Sequence, residues 1–361
     1  MKDAKSLTRV EDTISLDATT TVTVRKFGHV VSEHREFTSA IVFFLIMLAG
    51  FAIANPQVWF NTQIYSAIAT TFPQYAILAV GLVFVIVSGE IDLSFASVLT
   101  VSSFGFAKLV DLGAPVAIGM LVAIAIGIAA EGVSGLLVAY AGLPSFVVTL
   151  GMFYLWDGLV NVLADGNGIG VQQISDDGLV KAATGMLGPI PAQALWAVLI
   201  SAICLVVYSR RRFGAHVMVV GDNSGAAEST GISVARVKLG SFLLLGACAG
   251  VVGILTTLVN SNFYPSAGDG LQLPALAAVF VGGTPLVGGV GTVAGAFVGA
   301  LTVAFINTGI VTSGLSGFYT QFAFGIVIVL SIVLLRLRSP GRMRHLVYRS
   351  QQNSRRMKVK S

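Results

Sequence analysis

Two carboxylates two residues apart, Glu90 and Asp92, interrupt an apolar stretch of the chain in VSGEIDLSFAS (87–97). Carboxylates so placed can hold a proton or a cation, or accept hydrogen bonds from a polar solute. A lone ion at the centre of a bilayer costs roughly 3 kcal/mol or more, so these acids either sit at a wetted helix end or are buried with partners. Asp92 can cap a helix beginning near Ser94, its carboxylate accepting backbone N–H groups at the positive end of the helix dipole. That local role outweighs direct solute contact for Asp92. Glu90 has no such local explanation and is assigned to an inner vestibule or gate. Asp157, Asn161 and Asn307 place further polar groups inside apolar segments, either for a solute pathway or for hydrogen bonds between helices. Together with Glu90, Asp92 and Ser94 they form the candidate pathway or gate.

Other chemistries find no residues to carry them. The sequence holds no GxxxxGK[ST] phosphate loop, no HExxH and no GxSxG. Its four histidines, His29, His34, His216 and His345, all lie outside apolar runs, so no metal site is expected. The two cysteines, Cys204 and Cys248, each sit in an apolar stretch and read as small packing residues. An enzyme is therefore not expected. Ionisable groups inside apolar stretches are few, Glu131 and Asp157 among them, which leaves a primary pump or voltage sensor little to work with.

Only 11% of the 361 residues are charged and 55% are hydrophobic, too little charge to clothe a water-facing surface. The fold class expected is an all-α polytopic membrane protein of about ten transmembrane helices, some broken or re-entrant. Apolar segments at 38–54, 63–87, 93–110, 115–139, 144–163, 193–209, 239–260, 272–287, 291–311 and 317–336 are the candidates. The segment 272–287 is short and 93–110 barely suffices, so either can be a broken element. Ala52-Ile53-Ala54 resembles a leader cleavage site, but the long, mixed-charge segment before it favours an uncleaved first span.

Three basic regions set an orientation. Residues 1–39 hold six Lys/Arg against six Asp/Glu, an island holds Arg210, Arg211, Arg212, Arg236 and Lys238, and Arg336 to Lys360 carries nine basic residues and no acid. Six candidate spans separate the first from the second and four the second from the third. Both counts are even, so all three share one side, the cytoplasmic one by the positive-inside rule. This divides the chain into a cytoplasmic tail (1–37), a transmembrane domain (38–336) with a cytoplasmic loop (210–238) and a periplasmic loop (165–192), and a basic cytoplasmic tail (337–361). The island is too polar to insert. Asp222, Asn223 or Ser224 can cap a short exposed helix ending at Gly231, a knob for a partner or a loop lying on headgroups. A faint echo links VFVIVSGEIDLSFASVL (83–99) with VFVGGTPLVGGVGTVAG (279–295); paired glycine-interrupted segments often flank a transporter's pathway.

VSGEIDLSFASVL, LPSFVVTLGMFYLWDGL (143–159), VVGDNSGAAESTGISVARVKL (219–239) and GLQLPALAAVFVGGTPLVGGVGT (270–292) together resemble the membrane permeases of ribose-type ABC sugar importers. The resemblance runs from about residue 40 to 336. The glycine-rich turn (Gly282, Gly283, Gly288, Gly289 and Gly291) is shared with branched-chain amino-acid permeases, and IDLS points to the sugar branch. The resemblance implies a multi-pass inner-membrane subunit with both termini cytoplasmic. It would pair with a second permease subunit, as homo- or heterodimer, and work with cytoplasmic ATPase subunits and a periplasmic solute-binding protein. ATP and Mg would bind on the ATPase, with no cofactor on this chain. Asp222, Ser224, Ala226, Ala227, Glu228, Ser229 and Gly231 would form the loop that couples to it. From their residue type alone, Tyr154, Trp156 and Phe318 could stack on a sugar face or serve as the interfacial aromatics common near span ends. Relatives often carry Arg at the positions of Asp157 and Val290 and an acid at that of Pro274, departures that touch the solute rather than the family. The expected function is import of a monosaccharide or related polyol. The alternatives are import of nucleosides or another small polar solute, or an ion-coupled secondary transporter.

Overall fold

The computed structural model describes residues 37–53, 56–57 and 61–338; both tail assignments, 1–37 and 337–361, lie almost wholly outside them. The described chain is nearly all helix. Helices α1 (Phe37–Ile53), α2 (Thr62–Val87), α3 (Phe95–Asp111), α4 (Val116–Ala139) and α5 (Ser145–Ala164) form the first half. Then follow α6 (Gly178–Thr184), α7 (Ala192–Arg210), α8 (Arg212–Asp222), α9 (Ser224–Ser229), α10 (Val234–Asn260), α11 (Gln272–Val281), α12 (Val293–Thr312) and α13 (Phe318–Arg338). Each of the ten expected apolar segments coincides with a helix. Six helices, α2, α4, α5, α7, α10 and α12, are long and apolar enough to cross a membrane, so ten full spans are not what the described residues give.

The shortfall is sharpest at α11. Ten residues rise about 15 Å, half the hydrocarbon thickness. The rest of that crossing is non-helical backbone, residues 264–271, packed along α3. Gly268 N–H donates to Thr100 Oγ1 at 3.0 Å, and Thr100 lies only five residues into α3, about 8 Å along its axis. A Cβ on Gly268 would collide with the Ala96 carbonyl, so glycine permits this approach. Irregular backbone survives at membrane depth only where protein or a cavity shelters it. The element expected at 272–287 is thus a half-helix with an irregular lead-in, ended at Gly282-Gly283.

Helix α2 runs through the middle; from Tyr75 to Val87 every residue is buried, among α7, α10, α11 and α12. Helices α4 and α10 meet backbone to backbone. Cβ atoms on Gly127 and Gly246 would each strike the other's carbonyl, and one on Gly250 would come within 2.8 Å of Ile124 Cα. Likewise Gly295 and Gly299 of α12 admit the backbone of α11 at Gly282 and Ala278. These glycines are packing devices, as small residues in membrane bundles commonly are.

The helices define two ends. At the basic end lie the turn 88–94, the α4–α5 connection, the island with α8 and α9, and the turn 282–292. At the other end, residues 165–192 are an ordered cap. There β1 (Ile169–Gly170) enters, followed by α6, whose start is capped by Asp177 accepting from Leu179 N at 2.7 Å. The hairpin β2 (Met186–Leu187) and β3 (Ile190–Pro191) closes the cap, and β1 pairs antiparallel with β4 (Asn262–Phe263) after α10.

Candidate functional site

Three segments converge at the basic end, each by way of a glycine. Helix α2 closes with Ser88 N–H on Phe84 O, Gly89 N–H on Ile86 O and Glu90 N–H on Val85 O, and Gly89 takes the left-handed conformation (φ +91°) that ends a helix this way. The freed Val87 carbonyl accepts from Gly289 N–H at 2.8 Å. Gly221, near the end of α8, lies against the same carbonyl, and any Cβ there would run into it. Gly288 and Gly289 (φ +79° and +75°) pack on Gly89 and on the Asp222 backbone. Gly291 completes the junction, its carbonyl accepting from the buried Tyr208 Oη at 2.9 Å. The island, the turn 88–94 and the glycine-rich turn are therefore one contiguous backbone contact.

An ion pair spans the same junction. Lys238, near the start of α10, pairs with Glu90, both largely shielded from solvent. Glu90 is thus a bound partner of the island rather than a free vestibule acid. The knob beyond is ordered: Asn223, of the three capping candidates, accepts from Ala226 N–H at 3.2 Å. Ala227 is fully buried and anchors α9, while Asp222, Ser224, Ala226, Glu228, Ser229 and Gly231 are exposed. Gly231 (φ +82°) donates to Glu228 O at 2.9 Å and turns the chain into α10.

Asp92 and Ser94 point the other way, into the bundle. Asp92 Oδ1 accepts from Ser94 N–H and from Ser94 Oγ, each at 2.6 Å, so it serves the start of α3 from two positions outside the formal cap, Ser94. Ser94 Oγ also lies 3.4 Å from Glu131 Oε1 and from Ser134 Oγ on α4. Asp92, Ser94, Glu131 and Ser134 are all inaccessible to solvent. The turn is further pinned to α5, where Ser145 Oγ accepts from Ile91 N–H at 3.1 Å and Thr149 Oγ1 donates to Ile91 O at 3.3 Å.

The other candidates are not gathered there. Asp157 lies 12 residues along α5 from Ser145, about 18 Å away, and is close enough to Asp269 of the irregular lead-in to act on its charge. Asn161 donates to its own helix at Asp157 O (2.9 Å). Asn307 donates to Tyr75 Oη at 3.3 Å, joining α12 to α2. Tyr154 and Phe318 are exposed and Trp156 is partly buried. Lys238, Glu131, Gly221 and Asp269 escaped the candidate set. Glu131 carried a signal, a lone acid in an apolar helix with Gly127 and Ser134 one turn to either side. Among the described residues no group of three metal-ligating side chains occurs.

Comparison with known proteins identifies the family. No solved structure matches the chain. The ribose import permease protein of Haemophilus influenzae is 31% identical over 313 residues, covering 85% of this chain and 94% of its own. The ribose import permease protein of Bacillus subtilis is 33% identical over 266 residues (73% and 81%), and the D-allose transport system permease protein of Escherichia coli 29% over 317 (85% and 96%). The family described as branched-chain amino acid transport system / permease component matches residues 64–332, from near the start of α2 into α13. The chain belongs to that family of transport permeases, and within it is similar to permeases named for ribose and allose.

Proposed function

We propose that this chain is the membrane permease subunit of an ABC importer for a monosaccharide or related polyol. The observation that carries the reading is the junction in which the α8–α9 knob touches, through Gly221, the turns closing α2 and α11, while Lys238 of the following helix α10 pairs with Glu90. A partner pressing on the knob would move both turns directly. The basic end is then cytoplasmic, with both termini on that side, and the 165–192 cap faces the periplasm to receive solute from a binding protein. ATP and Mg are bound by a separate ATPase; a second permease subunit, identical or not, completes the pathway. The irregular 264–271 segment beside α5 supports a pathway there, since discontinuous elements mark solute routes in many transporters. Asp157 and Asp269 would line it. The ribose and allose names of the relatives favour a simple sugar over a nucleoside or another small polar solute.

Co-purification and reconstitution test the proposal. Together with an ATPase that co-purifies with it and a solute-binding protein, the chain in vesicles should drive radiolabelled ribose or allose uptake that requires ATP. Uptake driven by an ion gradient with no ATPase present would replace the proposal with a secondary transporter. Glu228→Lys together with Gly231→Arg should abolish uptake while the chain still inserts; unchanged uptake would remove the knob from the coupling role.

A further inference from the structure

The Asp92–Glu131 contact is not used by the coupling reading, and its hydrogen-bond accounting does not close. Ionised carboxylates accept and never donate. The Asp92 and Glu131 carboxylates nonetheless converge on one hydroxyl, Ser94 Oγ, at 2.6 and 3.4 Å, and both are fully shielded from solvent. Ser94 has one hydroxyl proton, and the 2.6 Å contact assigns it to Asp92 Oδ1 rather than to Glu131 Oε1 or Oε2 at 3.4 and 3.5 Å. Asp92 Oδ2 has no donor at all. The cation of the neighbouring turn, Lys238, is paired with Glu90. The helices packed around the cluster present hydroxyls and glycine: Ser134 on α4, Ser145 and Thr149 on α5, and Gly246 on α10 against the Glu131 Cβ. Two carboxylates in contact cannot both ionise without a cation between them.

We propose that Asp92 and Glu131 form a buried proton site, in which one proton lies between Asp92 Oδ2 and the Glu131 carboxylate and bonds the inner turn to α4. It supplies the donor that Asp92 Oδ2 lacks and the firm bond that Ser94 does not give Glu131. It also makes the turn 88–94 a tethered element: Ser145 and Thr149 hold it to α5, Lys238 to α10, and the proton to α4. Two carboxylates with hydroxyls beyond 3.3 Å from Glu131 offer a metal ion a poor shell, since calcium takes six or more oxygens at about 2.3–2.6 Å. The site does not depend on which solute is carried, or on the coupling role of the knob.

Infrared spectroscopy of the purified chain in lipid nanodiscs tests this directly. Near neutral pH the wild type should show the carbonyl stretch of a protonated carboxylic acid, shifting when aspartate and glutamate are labelled with carbon-13. Glu131→Gln should lose that band, because its amide donates to Asp92 Oδ2 in place of the proton, and should keep the wild-type melting temperature. Glu131→Ala should melt earlier, with an apparent unfolding constant raised about tenfold by the unpartnered Asp92. A wild-type spectrum with no protonated carboxyl band, or a band that survives in Glu131→Gln, overturns the proposal. So does a carboxylate band that shifts when sodium is replaced by choline, which would put a sodium ion there. The labelled wild-type spectrum decides even if the variants do not fold.

Discussion

The two turns that meet at the basic end close their helices identically and are held by opposite means. Helix α11 ends with Gly282 N–H on Ala278 O, Gly283 N–H on Phe280 O and Thr284 N–H on Val279 O, with Gly283 at φ +89°, the pattern seen after α2 at Ser88, Gly89 and Glu90. The following helix of each pair starts from a polar residue, Ser94 or Thr292. The first turn is then fixed by charged and hydroxyl side chains: Glu90 to Lys238, Asp92 to Ser94, Ser94 to Glu131, Ile91 to Ser145 and Thr149. The second has no ionisable residue, and is fixed by backbone contact at Gly288 and Gly289, by Tyr208, and by Thr284 and Thr292 within the turn. One motif therefore serves as a polar, side-chain-latched turn and as a glycine-fitted socket. A latch held by side chains can be released by changing charge, whereas a socket yields only to steric change.

Steric intrusion should have the largest effect. Gly221→Val places a side chain against the Val87 carbonyl and should destabilise the junction by about 3 kcal/mol, lowering the detergent melting temperature or the yield of inserted protein. Gly225→Ala, whose Cβ meets only Asn223 Oδ1 at 3.7 Å, should change neither. Next comes the latch. Lys238→Glu sets two acids together and should cost about 2 kcal/mol, with recovery in the Glu90→Lys, Lys238→Glu double variant. If the double variant melts no higher than Lys238→Glu alone, the pair does not hold the first turn. Tyr208→Phe removes one buried hydrogen bond from the socket and should cost about 1 kcal/mol, unaltered by salt. The smallest effect is expected at Asn223→Ala. Loss of the α9 cap, worth up to about 1 kcal/mol, should appear as faster amide exchange at Ala226 and Ala227 with little change in global melting.

The helices were legible because each needs about 20 apolar residues and ends at glycine or a charge, signals that are local in sequence. The half-helix at 272–281 was legible for the same reason, as a short apolar run before Gly282-Gly283. Helix α8 was not: the arginine run Arg210 to Arg212 at its start, with Gly214 and His216, resembles loop composition, and it folds by burying Val217 and Val220 against the bundle. The echo of 83–99 in 279–295 was visible, but the matching helix ends put Gly89 against Gly283, two residues off the sequence alignment. Within the site, Glu90 meets Lys238 and Ser94 meets Glu131, 148 and 37 positions away, so no spacing rule could join them. The ordered cap over 165–192 escaped for a related reason, because its β1 strand finds its partner only after α10.

That pairing has a bearing on how the chain is made. Ile169 bonds across to Phe263, and Val171 N–H donates to Ser261 O at 3.1 Å, closing a circuit of about 90 residues that contains α6 to α10. A ribosome adding roughly 5–20 residues per second takes about 5–20 s to deliver the second strand after the first. Through that interval α4 lacks the glycine face of α10, and the acid at Glu131 waits without Gly246 over its Cβ. The first five helices are thus held provisionally during synthesis, and their final packing is set by the arrival of the tenth.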